Sequence, residues 1–266
     1  MFQFNYVKAK SLKEAQAFVA ANPEAKLLAG GMTLIPTLKQ RLAQPTHLVD
    51  IGGLPELSGI EVKGAQLVIG AATQHREVAT SPVVKKALPA LAALADQIGD
   101  QQVRNRGTIG GSVANNDPAA DYPAAVLALD ATVVTNKREI AAADYFQGMF
   151  ATALEEGEII VSLKFNIPKR AIYEKFPHPA SGFAMAGAFV AEGANGLRVA
   201  ITGAASGVFR WKEAEQALTK TLSPDALEGA KLDISDMNED IHATREYRAN
   251  LARVMTKRAV QKLLAA

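Results

Sequence analysis

A chain of 266 residues, 48% hydrophobic and 21% charged, has the composition of an ordinary globular protein and the length for one large or two modest domains. A formal net charge of +2 argues against nucleic acid or an anionic membrane surface as a partner, and no run approaches the roughly 18 apolar residues of a membrane span. The chain has no cysteine, which excludes disulfides, thiolate zinc sites and cysteine-ligated iron–sulfur clusters within it and fits a cytoplasmic setting.

Ser11-Leu12-Lys13-Glu14 reads as a capping box opening a helix with Leu12, Ala15, Phe18 and Val19 on one face. Lys26–Ala29 is a short strand running into Gly30-Gly31. Thr33 is placed to cap the next helix, where Leu34, Ile35, Leu38 and Leu42 recur at helical spacing and Pro36 is tolerated in the first turn. His47–Ile51 is again a strand. Strand, turn, helix and strand over so short a span imply a small α/β unit with parallel pairing. Ile60 and Val62, then Leu67 and Ile69, alternate with polar residues across Gly64-Ala65 and predict a hairpin. Ser81-Pro82 opens a helix whose Leu88, Leu91, Leu94 and Ile98 form a core stripe. A short helix near Tyr122–Leu129 and strands at Thr132–Thr135 and Ile159–Ile167 follow. Pro168-Lys169-Arg170 marks a boundary, beyond which Phe183–Val190 and Leu197–Thr202 flank the turn signal Asn195-Gly196. Helical segments then end in a long one from about Ala243. The class is α+β, with a cofactor portion of roughly 170 residues and a smaller sheet-and-helix domain behind it.

Two glycine-rich segments carry the chemistry. In the first, Leu28 to Pro36, Gly30 and Gly31 let the backbone turn sharply at a strand end, so that successive amides can face one concavity suited to diphosphate oxygens. An ordinary strand-to-helix turn is the alternative. The second, Arg104 to Asp117, holds within ten residues Gly107, Gly110 and Gly111 with two hydroxyls and two amides, a donor-rich loop flanked by Arg104 and Arg106; a plain polar loop is the alternative. Its spacing is not the Rossmann GxGxxG, which disfavours a nicotinamide enzyme of that fold. The four histidines, His47, His75, His178 and His242, show no metal-ligand spacing, and Met1–Asn5 shows no signal-peptide pattern.

The pair AGGMTLIP and RNRGTIGGSVANNDPAADYPAAVLALDA resembles the FAD-binding subunit of the molybdenum hydroxylases, and the likeness continues through Pro45–Ile51, Glu158-Ile159-Ile160, Tyr173–Phe176, Tyr247–Leu251 and Lys257-Arg258-Ala259. The resemblance implies a PCMH-type FAD-binding domain over 1–169, in two α/β subdomains near 1–55 and 56–169, followed by a C-terminal domain over 170–266. It implies that Ala29, Gly30, Gly31, Met32, Thr33, Leu34 and Ile35 contact the FAD diphosphate and ribityl chain, joined by Thr108, Gly110, Gly111, Ser112 and Asn115 from the second segment. Asp121 matches an acidic position near the cofactor, where a carboxylate suits ribose hydroxyls; capping the helix at Tyr122 is its alternative role. Ile160 matches an apolar position near the rings and reads equally as a core strand residue. Lys175 matches a lysine near the isoalloxazine, where fixed positive charge would raise the flavin's potential; an exposed lysine is the alternative. Met32 stands where many members have histidine or asparagine, and Gly182 stands where an Asp often precedes the aromatic, here Phe183. On the closing helix, Arg245, Arg248, Arg253, Lys257, Arg258 and Lys262 read as a solvated face or a subunit contact.

The activity implied is that of an oxidoreductase subunit with no catalytic acid or base and no metal of its own. A small partner chain holds [2Fe–2S] clusters and a large one molybdopterin, and electrons pass through FAD to an external acceptor, a quinone or NAD+. A stand-alone flavin oxidoreductase and a non-catalytic assembly subunit are the rival readings.

Overall fold

The computed structural model describes residues 1–266 as three main sheets and a two-stranded ribbon, Phe146–Gly148 with Ala151–Thr152, with helices packed on the sheets. The first sheet has three parallel strands in the order Asn5–Lys8, His47–Asp50, Lys26–Leu28. Its strands are joined by the helices Leu12–Ala21 and Leu34–Lys39, as the alternation of strand and helix predicts. Ala15 and Val19 bury against Val49, Ile51 and Leu57. The edge strand Asn5–Lys8 has no sequence signal, because all but one of its side chains are exposed. Ser11 accepts from the Glu14 N–H at 3.1 Å, but the Glu14 carboxylate takes the Lys10 N–H at 2.9 Å, one residue before the position a capping box uses.

The second sheet is antiparallel, in the order Ile60–Lys63, Gln66–Gly70, Ile160–Asn166, Thr132–Thr135, Glu139–Ala141. The expected hairpin forms, and the strand near 159–167 enters the middle of the sheet, paired with both 66–70 and 132–135. The helix expected from Ser81-Pro82 is two helices, Pro82–Ala87 and Pro89–Asp96. Pro89 lacks an N–H and forces Leu88 out of helical geometry, to φ −151°. Leu88, Leu91 and Leu94 are still core, whereas Ile98 falls in the turn beyond. A further short helix, His75–Thr80, precedes them.

The third sheet is an antiparallel meander of Arg170–Pro177, Ala184–Gly193, Gly196–Thr202 and Phe209–Arg210. Its strand Ala184–Gly193 is covered on both faces, which explains its small, apolar side chains. Ala188 and Val190 join the core beneath the closing helix Arg245–Ala265, and Phe189 and Ala191 join the core of the second sheet. Most of the cations expected on a solvated helix face have partners in the chain. Arg248 is buried, bonding Asp240 at 2.6 Å and the carbonyls of Met185 and Gly203 at 3.2 Å. Arg245, Lys257 and Lys262 pair with Glu239, Glu228 and Glu174, and Arg253 and Arg258 are exposed. The meander also grips the chain just after the second glycine-rich segment. The Thr202 hydroxyl lies 2.6 Å from the Ala120 carbonyl, and the Gly203 N–H donates to Pro118 at 2.8 Å.

Candidate functional site

The first glycine-rich segment leaves the C-terminal end of Lys26–Leu28 and turns through Gly31, whose φ of +74° is a left-handed conformation that glycine adopts without strain. None of the six successive amides from Ala29 to Leu34 donates to an acceptor in the protein. All six residues line one cavity of 790 Å³, large enough for a dinucleotide. A run of unpaired N–H groups on the wall of a cavity has the donors that an anion needs. Thr33 precedes the helix Leu34–Lys39 but makes no side-chain cap, because its φ and ψ are already helical.

The second segment differs from the donor-rich loop expected. Thr108 caps a helix, Ile109–Asn115, and the first amides are already bonded: Ile109 to Thr73 at 3.0 Å, Gly110 to Ala71 at 2.8 Å, Gly111 to the Thr108 hydroxyl at 3.1 Å. Its glycines serve close approach. A Cβ on Gly110 would stand 2.5 Å from the Ala71 Cβ, and one on Gly30 would stand 2.1 Å from the Arg106 carbonyl oxygen. The two segments therefore meet backbone to backbone, and Ser112 and Asn115 present side chains to the same cavity. Neither arginine lines it. Arg104 bonds the carbonyls of Ile98 and Gly99, and Arg106 is exposed.

Of the residues singled out from sequence, Ala29, Gly30, Gly31, Met32, Thr33, Leu34, Thr108, Gly110, Gly111, Ser112, Asn115, Asp121 and Ile160 all line this cavity. Ile35 does not; its N–H bonds Gly31 and its side chain packs under the turn. Met32 is exposed, and Ile160 is both cavity wall and core. Ser181, Gly182 and the half-exposed Phe183 line it from the third sheet.

Lys175 is neither exposed nor part of the wall: its side chain is 3% exposed and its ammonium lies 3.1 Å from Asp121 and 2.8 Å from the Gln97 carbonyl. Tyr173, two residues away on the same strand face, donates to Asp121 at 2.5 Å. Asp121 makes no helix-capping bond, because its carboxylate is taken by these two donors. Burial pushes the Asp121 carboxyl up, and Lys175 and Tyr173 oppose that rise.

Three contributions to the cavity were not singled out as site residues from the sequence, although Glu158 lies in a stretch that carries the family likeness, since they come from separate segments that only the fold joins. Ala71 and Ala72 approach from the end of Gln66–Gly70, and Glu155–Glu158 close one side. His75, 5% exposed, is held neutral by burial and by the nearby Arg104 charge, which lower its pKa to about 4. Glu158 is also buried. Burial acts to raise its pKa, but bonds from Arg138, the Glu155 N–H and Thr135 outweigh this and hold it at about 2. Its folded pKa lies below its unfolded value, so its stabilisation is present above about pH 5 and is lost as pH falls toward 2. Glu158→Gln is expected to cost about 3 kcal/mol at pH 7 and to flatten acid denaturation between pH 5 and 2; urea unfolding across that range checks it.

Known proteins resemble this chain in sequence and fold. Residues 2–170 match the FAD binding domain in molybdopterin dehydrogenase, and residues 172–263 match the CO dehydrogenase flavoprotein C-terminal domain. The chain is 37% identical to the carbon monoxide dehydrogenase medium chain of Hydrogenophaga pseudoflava, over 97% of this chain and 96% of that one. It is 32% identical to the glyceraldehyde dehydrogenase medium chain of Sulfolobus acidocaldarius, over 98% of each. A chain in the crystal structure of the Cu,Mo-CO dehydrogenase superposes with a TM-score of 0.92 at 33% identity, covering 100% of this chain and 99% of that one. The glycine-built cavity and these likenesses along the whole chain agree: it belongs to the FAD-binding medium subunits of the molybdenum hydroxylases.

Proposed function

We propose that this chain is the electron relay of a molybdenum hydroxylase complex, carrying FAD between [2Fe–2S] clusters on a small partner subunit and an external acceptor, a quinone or NAD+. The observation that supports it most is the run of unpaired amides from Ala29 to Leu34 on the wall of a cavity of 790 Å³. These amides would bind the diphosphate, with Thr108, Ser112 and Asn115 contributing polar groups opposite and Ile160 an apolar wall. Asp121 is in reach of the cavity for a ribose hydroxyl while it holds Lys175, whose charge acts on the flavin through that pair. Ile35 supports the turn from below. Bound FAD supplies the chemistry, accepting single electrons from clusters and delivering two to the acceptor.

The chain's own part is to bind and orient the cofactor and to shield one side of it. A chain without cysteine cannot ligate the clusters, so they and the molybdopterin belong to the small and large partner subunits, in a cytoplasmic complex. Residues 1–169 form the FAD-binding domain on this reading, and 170–266 complete the site through Lys175 and Phe183. The test is anaerobic. Purified full chain should carry about one FAD and should stay oxidised with substrates of molybdenum hydroxylases until both partner subunits are added. Direct bleaching by a substrate without partners would instead establish a stand-alone oxidoreductase, and a chain with no flavin affinity an assembly subunit.

A further inference from the structure

We infer that His75, to which neither the fold nor the sequence motifs give a role, is a cofactor-positioning residue that makes a hydrogen bond from its imidazole to the FAD. The inference rests on the FAD reading above. His75 lines the cavity, yet its Nδ1 is buried without any hydrogen-bond partner. Its Nε2 lies beside Gly107, where a Cβ would stand only 2.5 Å away, and Gly107 lines the cavity as well. The missing side chain at Gly107 therefore leaves room for the Nε2 edge of the ring, and both residues line the cavity.

The backbone N–H and the ring face of His75 are engaged. The His75 N–H donates to the Gly107 carbonyl at 2.9 Å, which sets the ring directly beneath the second glycine-rich segment. The ring packs on Tyr122 with centroids 5.3 Å apart. Packing alone asks for an aromatic ring and not for a ring with nitrogens, and burying Nδ1 unpaired is unfavourable. A ligand atom in the cavity supplies the partner that the protein withholds. Because the ring is neutral, it donates or accepts one bond at Nε2 without adding charge beside the cofactor.

His75→Phe keeps the ring and removes both nitrogens. In a fluorescence titration of flavin-free full chain with FAD, it is expected to weaken binding about tenfold. The thermal midpoint of the flavin-free chain should stay level or rise, since a buried unpaired group has gone. His75→Gln, which retains a donor and an acceptor, should recover part of the affinity. Imidazole 15N resonances of His75 should shift when FAD is added to wild-type protein. Unchanged affinity in His75→Phe overturns the inference while leaving the FAD reading intact. So does an affinity loss that tracks a lower thermal midpoint and is not recovered by Gln. If the wild-type chain takes up no FAD, both readings fall together.

Discussion

Gly30→Ala should strip the protein of flavin. The added Cβ would stand 2.1 Å from the Arg106 carbonyl oxygen and 2.8 Å from the Gly107 Cα, all backbone atoms that cannot rotate aside. The two glycine-rich segments would have to part by about 1 Å, in a region where their backbones define the site. Overpacking of this kind costs about 1–3 kcal/mol of stability, and a misplacement of that size costs on the order of 100-fold where positioning matters. The measurements are the flavin-to-protein absorbance ratio after gel filtration, an FAD titration and the thermal midpoint. Gly53→Ala is the control, because a Cβ at Gly53 meets nothing within 4 Å; it should behave as wild type. Retention of FAD at wild-type affinity in Gly30→Ala would show that the segments do not close on the cofactor together.

Asp121→Ala should be the most destabilising single change near the site. It leaves the Lys175 ammonium, 3% exposed, with the Gln97 carbonyl and no counter-charge. Breaking a buried pair from one side costs about 3–5 kcal/mol, most of it the penalty of the stranded charge. Lys175→Met should cost less, because the Asp121 carboxyl, already pushed up by burial, can take a proton and become neutral. The double variant Asp121→Ala with Lys175→Met should recover much of the loss, so that a double-mutant cycle from urea unfolding shows strong coupling. The same variants test the flavin role. Lys175 acts together with an opposite charge 3.1 Å away, so removing the Asp121 charge should raise the flavin midpoint potential and Lys175→Met should lower it. A potential unmoved by Lys175→Met would remove Lys175 from the flavin's environment.

The sequence by itself determined the elements built on local signals. Turn glycines and period-two or period-3.6 apolar spacing are written in neighbouring residues, so the parallel unit, the hairpin at Gly64-Ala65 and the closing helix were all legible. Where a local signal met a stronger local constraint, the reading failed: Pro89 split the helix expected through Ile98, and the exposed strand Asn5–Lys8 had no pattern to read. The glycine-rich segments were visible for the same reason, and the resemblance they carry led to the FAD-binding family.

Only the tertiary structure decided how those segments work. It bonded the amides at the start of Ile109–Asn115 to Thr73, Ala71 and Thr108, and left the run from Ala29 to Leu34 free. It placed Ile35 below the turn and buried Lys175 against Asp121 instead of on the wall. It brought His75 and Glu158, 83 residues apart in sequence, to one cavity by pairing Gln66–Gly70 with Ile160–Asn166. Hydrogen-bond satisfaction and burial are properties of residues brought together from distant parts of the chain, so no window of neighbouring residues contains them.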